Sequence, residues 1–256
     1  MSLLRVENVV KYFGGLLAVA DVSFDVPEGG VLGLIGPNGA GKTTVFNLIT
    51  GNYKLNKGKI VFKGENITGM LTPRVVALGI ARTFQNIRLF SNMSVLENVL
   101  AGYHCRMQSG ALAAMLRLPK QRAEERRAIG KAFAELRFVG LEPEAENLAR
   151  NLSYGNQRLL EIARALASDP ALIILDEPAG GMNEYETTAL VDLIERIRAR
   201  GITVMLIEHD MSLVMRACEY IVVLEHGKKI AEGTPDAIKA DPKVIEAYLG
   251  SDDDDI

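Results

Sequence analysis

Residues 36–43 read Gly-Pro-Asn-Gly-Ala-Gly-Lys-Thr, a spacing of glycines, lysine and threonine that suits the binding of a polyphosphate. An apolar run precedes them at residues 31–35, and a helical pattern begins at Lys42. Glycines let backbone N–H groups close around phosphate oxygens, and the amino end of a helix attracts negative charge. We expect Lys42 to reach the β and γ phosphates and Thr43 to ligate Mg²⁺. The pattern predicts a nucleoside triphosphate site.

A second pair of polar residues, Asp176 and Glu177, follows the apolar run at residues 171–175. Buried parallel strands deliver polar side chains at their carboxyl ends, where ligands bind. We expect Asp176 to hold Mg²⁺ through its coordinated water and Glu177 to polarise the water that attacks the γ-phosphate. An acidic turn after a core strand is the alternative, which the complete phosphate loop in the same chain disfavours.

The elements that must position these residues follow from the hydrophobic pattern. Apolar runs at residues 171–175, 202–207 and 220–224 alternate with helical patterns, which predicts an α/β fold built around a parallel sheet. The alternation of apolar and polar residues at 22–26 predicts a half-exposed antiparallel strand before the phosphate loop. The spacing of Ser94 and Glu97 is a capping box, which opens a helix-rich region that runs to about residue 140.

Composition narrows the class of protein. With 256 residues, 48% hydrophobic and 24% charged, the chain can bury a large core in one or two domains. A net charge of -3 gives no general attraction to nucleic acid, and no local basic patch stands out, so no nucleic-acid partner is expected. No apolar run approaches the roughly 20 residues that cross a bilayer.

The two termini and the two cysteines carry weaker predictions. The amino terminus turns acidic at Glu7, before the apolar core of a signal peptide, so we expect the chain to stay in the cytoplasm. Residues 251–256 form an acidic tail that we expect to be solvated and disordered. Cys105 and Cys218 lack metal-ligand spacing and are expected to remain reduced thiols.

Between the two motifs lies the segment Leu-Ser-Tyr-Gly-Asn-Gln at residues 152–157, followed by a helical pattern. Ser153 offers a hydroxyl and Gly155 an unshielded backbone N–H at the start of that helix, which predicts a second anion-binding site. A serine that simply caps the helix is the alternative. With this segment the chain resembles the ATP-binding-cassette ATPases, whose L-S-G-G-Q signature it matches with Tyr154 replacing the first paired glycine and Asn156 inserted before the glutamine.

The resemblance implies roles for four further residues. Gln85 matches the glutamine that touches Mg²⁺ and the reacting water, and His209 the histidine that contacts the γ-phosphate. Phe13 matches the aromatic residue that stacks on adenine, with Ala18 in the same pocket and Tyr12 as the competitor of Phe13. The implied catalytic residues are Glu177, His209, Gln85 and Lys42; the implied ligands of Mg²⁺ are Thr43, Gln85 and Asp176. The implied ATP contacts are Phe13, Ala18, Gly36, Pro37, Asn38, Gly39, Ala40, Gly41, Lys42, Thr43 and Thr44, with Ser153, Gly155 and Gln157 supplied by a facing cassette.

The same resemblance implies a P-loop NTPase (RecA-like) core with an antiparallel β subdomain and an inserted α-helical subdomain, the ABC ATPase fold. Residues 1–250 would form a single domain before the acidic tail. Residues 1–90 and 158–250 would form the core and the β subdomain, and residues about 91–157 the helical subdomain with the signature. ATP would join two cassettes head to tail, and its hydrolysis would separate them.

Residues 13–19, 82–90, 151–158 and 241–250 are similar to the LivG-type ATP-binding subunits of branched-chain amino acid importers, in which Tyr154 is typical. The implied partners are transmembrane permease subunits, a second ABC ATPase subunit and, indirectly, a periplasmic or extracellular binding protein. The two ATPase subunits would form a heterodimer, with a homodimer as the alternative. The implied location is peripheral, on the cytoplasmic face of the plasma membrane. Urea-importing and lipopolysaccharide-exporting cassettes, soluble cassettes that act on ribosomes or DNA, and P-loop kinases remain alternatives.

Two further features concern contacts with partners. Many cassettes carry an aspartate where Asn183 stands in the loop that crosses the dimer. An amide keeps the hydrogen bonds of aspartate but loses its charge, so the resemblance implies a contact role for this loop without an electrostatic one. Leu89 and Phe90, next to Gln85, are predicted to form the wall of a groove that receives a helix of the membrane subunit. Packing of the helical subdomain is the alternative for these two residues.

Overall fold

The structure is a computed structural model that describes residues 2–106 and 119–249. The acidic tail predicted at residues 251–256 lies outside the described residues. The strands are β1 (Ser2–Phe13), β2 (Leu16–Pro27), β3 (Val31–Ile35), β4 (Lys57–Phe62), β5 (Glu65–Asn66), β6 (Ile80–Arg82), β7 (Leu172–Asp176), β8 (Thr203–Ile207), β9 (Tyr220–Glu225) and β10 (Lys228–Gly233). The α-helices are α1 (Lys42–Ile49), α2 (Thr72–Leu78), α3 (Val95–Tyr103), α4 (Pro119–Val139), α5 (Tyr154–Leu166), α6 (Glu184–Ala199), α7 (Met211–Ala217), α8 (Pro235–Lys239) and α9 (Pro242–Leu249).

The central sheet has the strand order β10-β9-β3-β8-β7-β6, and its pairs are parallel except for β10 with β9. Side chains of β3, β7, β8 and β9 alternate between two apolar clusters, one on each face of the sheet. In β7, for example, Ile173 and Leu175 enter one cluster and Leu172 and Ile174 the other. A strand that is covered on both faces needs apolar residues at every position, which explains the continuous apolar runs of the sequence.

The first cluster packs α3 to α7 against the sheet, and the second encloses α1 between the central sheet and an antiparallel sheet of order β2-β1-β4-β5. Strand β2 shows the predicted alternation, since Val22, Phe24 and Val26 are buried. This arrangement confirms the predicted α/β fold with its antiparallel sheet. No helix of the described residues combines the length and apolar character that crossing a bilayer requires.

Helices α3 and α4 fall within the range predicted for the helical subdomain, and the capping box that opens α3 is present. Ser94 Oγ accepts a hydrogen bond from the N–H of Glu97 at 3.1 Å, and Glu97 Oε2 accepts one from the N–H of Ser94 at 2.7 Å. Helix α5 begins at Tyr154, four residues before the helical pattern of the sequence. The domain boundary drawn at residue 157 therefore falls inside a helix.

Helix α3 approaches the backbone of α5 closely at Gly102. A Cβ atom at this position would lie 2.0 Å from the carbonyl oxygen of Arg164, which is far inside van der Waals contact. Gly130 on α4 is the opposite case, because a Cβ there would meet nothing within 4 Å.

We expect Gly102→Ala to lower the free energy of unfolding by about 1–3 kcal/mol, because α3 must move away from α5. Gly130→Ala is the matched control and should leave stability unchanged or raise it by up to about 1 kcal/mol, the helix-propensity gain. Urea denaturation followed by circular dichroism measures both. Equal stabilities of the two variants would contradict the close approach of α3 and α5.

Candidate nucleotide site

The carboxyl ends of four neighbouring parallel strands meet at one edge of the central sheet. The phosphate loop follows β3, Asp176 and Glu177 stand at the end of β7, His209 follows β8, and Gln85 follows β6. Ligands bind at this edge of open α/β sheets because it collects polar residues from separate parts of the chain. The strand order thus places the predicted catalytic residues at a common edge.

The phosphate loop depends on glycines at two crowded positions. Gly36 has φ +147°, and a Cβ there would lie 2.0 Å from the carbonyl oxygen of Leu224. Gly41 has φ +97°, and a Cβ there would lie 2.7 Å from the carbonyl oxygen of Ala18. Gly41 is also the N-cap of α1 and gives it no side-chain cap, so the first N–H groups of the helix can bind an anion.

Lys42 is buried, and its ammonium group lies within the loop. Nζ donates hydrogen bonds to the carbonyl oxygens of Gly36 at 2.6 Å and Pro37 at 2.9 Å. Burial lowers the pKa of Lys42, while the charges of Glu177 and Asp176 raise it in part. Two carbonyl partners and two carboxylates favour the charged form, so Lys42 is held ready beside the site for phosphate.

The two acidic residues occupy different environments. Asp176 is 3% exposed, its N–H donates to Thr83 Oγ1 at 3.2 Å, and burial raises the pKa of its carboxyl to about 6 despite the nearby Arg82. Glu177 has φ +45°, a left-handed conformation that is uncommon outside glycine, and its N–H donates to the carbonyl oxygen of Ile207 at 2.8 Å. The carboxyl of Asp176 is therefore enclosed, whereas the side chain of Glu177 is 23% exposed.

Glu177 contacts two of the other predicted residues. Gln85 Nε2 donates a hydrogen bond to Glu177 Oε2 at 2.9 Å. His209 is exposed, and its Nδ1 lies 3.9 Å from Glu177 Oε1 and 3.8 Å from Glu208 Oε2. Glu208 is buried and accepts the N–H of Ala179 at 3.0 Å. Glu208 was not predicted from the sequence, because no pattern distinguishes this buried carboxylate from the acidic residues of ordinary turns.

A cleft of about 610 Å³ joins the loop to the predicted adenine site. Phe13 lies 40% exposed at its edge, and its ring makes an edge-to-face contact with Tyr53, with ring centroids 5.1 Å apart. The cleft is lined by Phe13, Leu16, Leu17, Ala18, Asn38, Gly39, Ala40, Gly41, Lys42, Thr43, Thr44, Gln85, Glu177, His226 and Gly227.

His226 and Gly227 were missed by the sequence analysis. They form the two-residue turn between β9 and β10, and both have positive φ angles. The N–H of Gly227 donates to the carbonyl oxygen of Ala40 at 3.0 Å, which fixes the turn against the phosphate loop. Two residues ending in glycine between two strands are a hairpin signal, so the turn was detectable, although its contact with the loop was not.

The signature residues do not line this cleft. Ser153 is exposed and caps α5, its Oγ accepting the N–H of Asn156 at 3.3 Å, and Gly155 lies beside a smaller cleft of about 270 Å³. Gln157 Nε2 donates to the carbonyl oxygen of Leu152 at 3.1 Å.

Asn183 caps α6, with its Oδ1 accepting the N–H of Glu186 at 2.9 Å. The capping role gives a local reason for the amide at position 183.

The residues predicted for Mg²⁺ offer the oxygen ligands that this ion prefers, namely the hydroxyl of Thr43, the carboxyl of Asp176 and the amide of Gln85. A cation beside Asp176 would favour its ionised form, against the burial that now raises its pKa. Across residues 2–106 and 119–249, no three His, Cys, Asp or Glu side chains group so as to hold a metal.

We expect Asp176→Asn to stabilise the nucleotide-free protein at pH 8. An aspartate titrates near 3.8 when unfolded and near 6 here, so its ionisation lowers stability progressively between those pH values. The asparagine variant avoids this loss of roughly 3 kcal/mol at neutral pH, and the difference should vanish near pH 3.8. Melting temperatures across this pH range measure it, with Asp192→Asn on the exposed face of α6 as the control. A pH-independent difference would contradict the assigned burial of Asp176.

Comparisons with known proteins agree with this geometry. A family model described as ABC transporter matches residues 19–180, and one described as branched-chain amino acid ATP-binding cassette transporter matches residues 228–254. The chain is 44% identical to the high-affinity branched-chain amino acid transport ATP-binding protein LivG of Salmonella typhimurium and 45% identical to BraF of Pseudomonas aeruginosa, covering 97% of this chain and 98% of each relative.

Two solved structures are similar over nearly the whole chain. One is the ADP conformation of an ATP-binding cassette of an ABC transporter, with a TM-score of 0.85 and 35% identity, covering 98% of this chain and 99% of that one. The other is a nucleotide-free ATP-binding cassette, with a TM-score of 0.83 and 36% identity, covering 97% and 99%. The family models, the relatives and the strand order agree, and the chain therefore belongs to the ATP-binding-cassette family of ABC transporters.

Proposed function

We propose that this chain is the ATP-hydrolysing subunit of an importer for branched-chain amino acids. ATP hydrolysis is supported above all by the hydrogen bond between Gln85 and Glu177. Both residues line the same cleft as Lys42 and the phosphate loop. The substrate class is supported by the relatives, which are named as branched-chain amino acid transport proteins, and by the family model at residues 228–254.

In the proposed mechanism, Phe13 and Ala18 hold adenine and the backbone N–H groups of residues 36–44 hold the phosphates. Lys42 exchanges its bonds to the carbonyls of Gly36 and Pro37 for bonds to phosphate oxygens.

In the hydrolytic step, Glu177 orients the attacking water, and Gln85 and His209 hold Glu177 in place. Thr43, Asp176 and Gln85 would hold Mg²⁺, which supplies positive charge to the transferred phosphoryl group. Preorganised charge and positioning would then provide most of the rate enhancement.

Ser153, Gly155 and Gln157 do not line the cleft of the phosphate loop, so in this proposal they complete the site of a second cassette rather than their own. ATP would bridge the phosphate loop of one chain and the first turn of α5 in the other. Hydrolysis removes the bridging γ-phosphate, and the separation of the two cassettes would drive the membrane subunits. The chain would then act peripherally, on the cytoplasmic face of the membrane.

A groove of about 750 Å³ offers a place for the membrane subunit to dock. Leu89 and Phe90 line it, together with Val75, Val76 and Ala101, and Phe90 is 52% exposed. The backbone of Phe90 is fixed by Asn98, whose Oδ1 accepts its N–H at 2.9 Å and whose Nδ2 donates to its carbonyl at 3.1 Å. Because residue 90 follows the Gln85 segment, a helix in this groove would act on the site through a short stretch of chain.

The function is tested by reconstitution with permease subunits, a second cassette and an amino-acid-binding protein from the same organism. We expect ATP-dependent uptake of leucine, isoleucine and valine into vesicles, and no uptake of urea. Co-purification of ribosomal RNA without membrane proteins would instead support a soluble cassette. Transport of urea in place of amino acids would contradict the proposed substrate class.

We expect Glu177→Gln to bind ATP and to form dimers with ATP, because the amide keeps the shape of the side chain but cannot polarise water. Phosphate release should fall by about 10²-fold or more. Size-exclusion chromatography with ATP and a phosphate-release assay measure the two effects. Glu142→Gln, at an exposed ion pair with Arg137, is the control that should retain activity. Turnover of Glu177→Gln at the rate of the unmodified protein would remove Glu177 from the mechanism.

We expect the double change Leu89→Ala with Phe90→Ala to abolish most transport while ATP hydrolysis by the cassettes without the membrane subunits continues, because the groove loses its apolar wall. Ile129→Ala removes an exposed apolar side chain of α4 outside the groove and should leave both activities unchanged. Uptake and hydrolysis are measured on the same preparations. Loss of both activities, or of neither, would show that Leu89 and Phe90 do not form the docking wall.

A further inference from the structure

Three charged residues, Arg158, Glu161 and Arg164, recur every third position along α5 and therefore share one face of the helix. We call them the charged stripe. Their side chains are only 4%, 0% and 15% exposed. Burial of charge lowers stability unless each group finds partners, so the partners of the stripe indicate what it is for.

Glu161 forms ion pairs with Arg158 at 3.6 Å and with Arg164 at 3.5 Å. The other partners of the stripe are backbone groups of residues 84–88, a segment without helix or strand that contains Gln85. Arg158 donates to the carbonyl oxygen of Phe84 at 2.6 Å and also to that of Gln85. Glu161 accepts the N–H of Arg88 at 3.2 Å, and Arg164 donates to the carbonyl oxygen of Arg88. The charged stripe thus holds both ends of the segment and supplies the hydrogen bonds that regular secondary structure would otherwise give.

Arg158 also reaches the first turn of its own helix. Its Nη2 donates to the hydroxyl of Tyr154 at 3.0 Å, and the Tyr154 ring covers Gly181, where a Cβ would lie 3.0 Å from a ring carbon. Gly181 belongs to the loop that follows Glu177. One guanidinium therefore joins the signature turn to the segment whose Gln85 amide bonds to Glu177 at 2.9 Å.

We propose that Arg158 is a positioning residue for hydrolysis, which fixes the Gln85 amide against Glu177 and ties that placement to the signature turn. Binding of a partner's ATP at Ser153 and Gly155 would then alter how Gln85 is placed against Glu177 of the same chain. This inference rests on the proposed function. Two nitrogens of the planar guanidinium contact two different carbonyls, a geometry that the single ammonium of lysine cannot reproduce.

The test compares Arg158→Lys and Arg158→Met with Arg137→Met, which removes an exposed arginine of α4. Each full-length variant is assembled with the second cassette and the membrane subunits, and kcat and KM for ATP are measured together with melting temperature. We expect both Arg158 variants to lose at least tenfold in kcat, with KM changed less than threefold, because the phosphate loop is not altered. Arg137→Met should match the unmodified protein.

A double variant separates positioning from a general loss of structure. If Arg158 acts through Gln85, adding Arg158→Lys to Gln85→Ala should lower kcat by less than twofold beyond Gln85→Ala alone. Multiplied losses, or an Arg158→Lys variant with unchanged kcat, would overturn the inference. An unmodified assembly that does not hydrolyse ATP would instead contradict the proposed function, so the two failures are distinguishable.

Discussion

Parallel pairing of β3, β8, β7 and β6 is the constraint on which the candidate site depends. Each of these strands ends next to residues that can bind a ligand or take part in chemistry. The strand order brings these four distant parts of the chain to one edge. The pairing holds because these strands bury apolar side chains on both faces of the sheet. A slip of one residue in β7 would exchange its two apolar faces and displace Asp176 and Glu177 together.

At that edge, acidic and basic side chains offset one another's charge as a group rather than as isolated ion pairs. Lys42, Arg82 and Asp176 are largely removed from water. The charge of Asp176 raises the pKa of both Lys42 and Arg82, and the charge of Arg82 lowers that of Asp176. Burial lowers the pKa of Arg82 to about 10, and its guanidinium is stacked between the rings of Phe46 and Phe84 at 4.2 and 4.3 Å. A site built in this way already holds its charges close together before substrate arrives, so little reorganisation is needed when phosphate binds.

Much of the fold was predictable because local patterns and tertiary environment agree. The apolar runs became β7, β8 and β9, and the capping box opened α3. Strand β1 was missed because bulges in its pairing place Leu3 and Leu4 both inside and erase the alternation. The charged stripe was also missed, since no pattern tells that a charged residue of an amphipathic helix is buried against loop carbonyls. The assigned roles of the site residues remain predictions, because they concern a bound nucleotide and a facing cassette.

The carbonyl oxygens of Gly36 and Pro37 compete with phosphate for the ammonium group of Lys42. An incoming anion does not meet a vacant ammonium group, but must replace two hydrogen bonds of 2.6 and 2.9 Å that are already made. A weak ligand that offers one oxygen gains little from this exchange, whereas a chelating polyphosphate replaces both bonds at once. We therefore expect the loop to favour ligands that present several oxygens, because such ligands can replace both bonds.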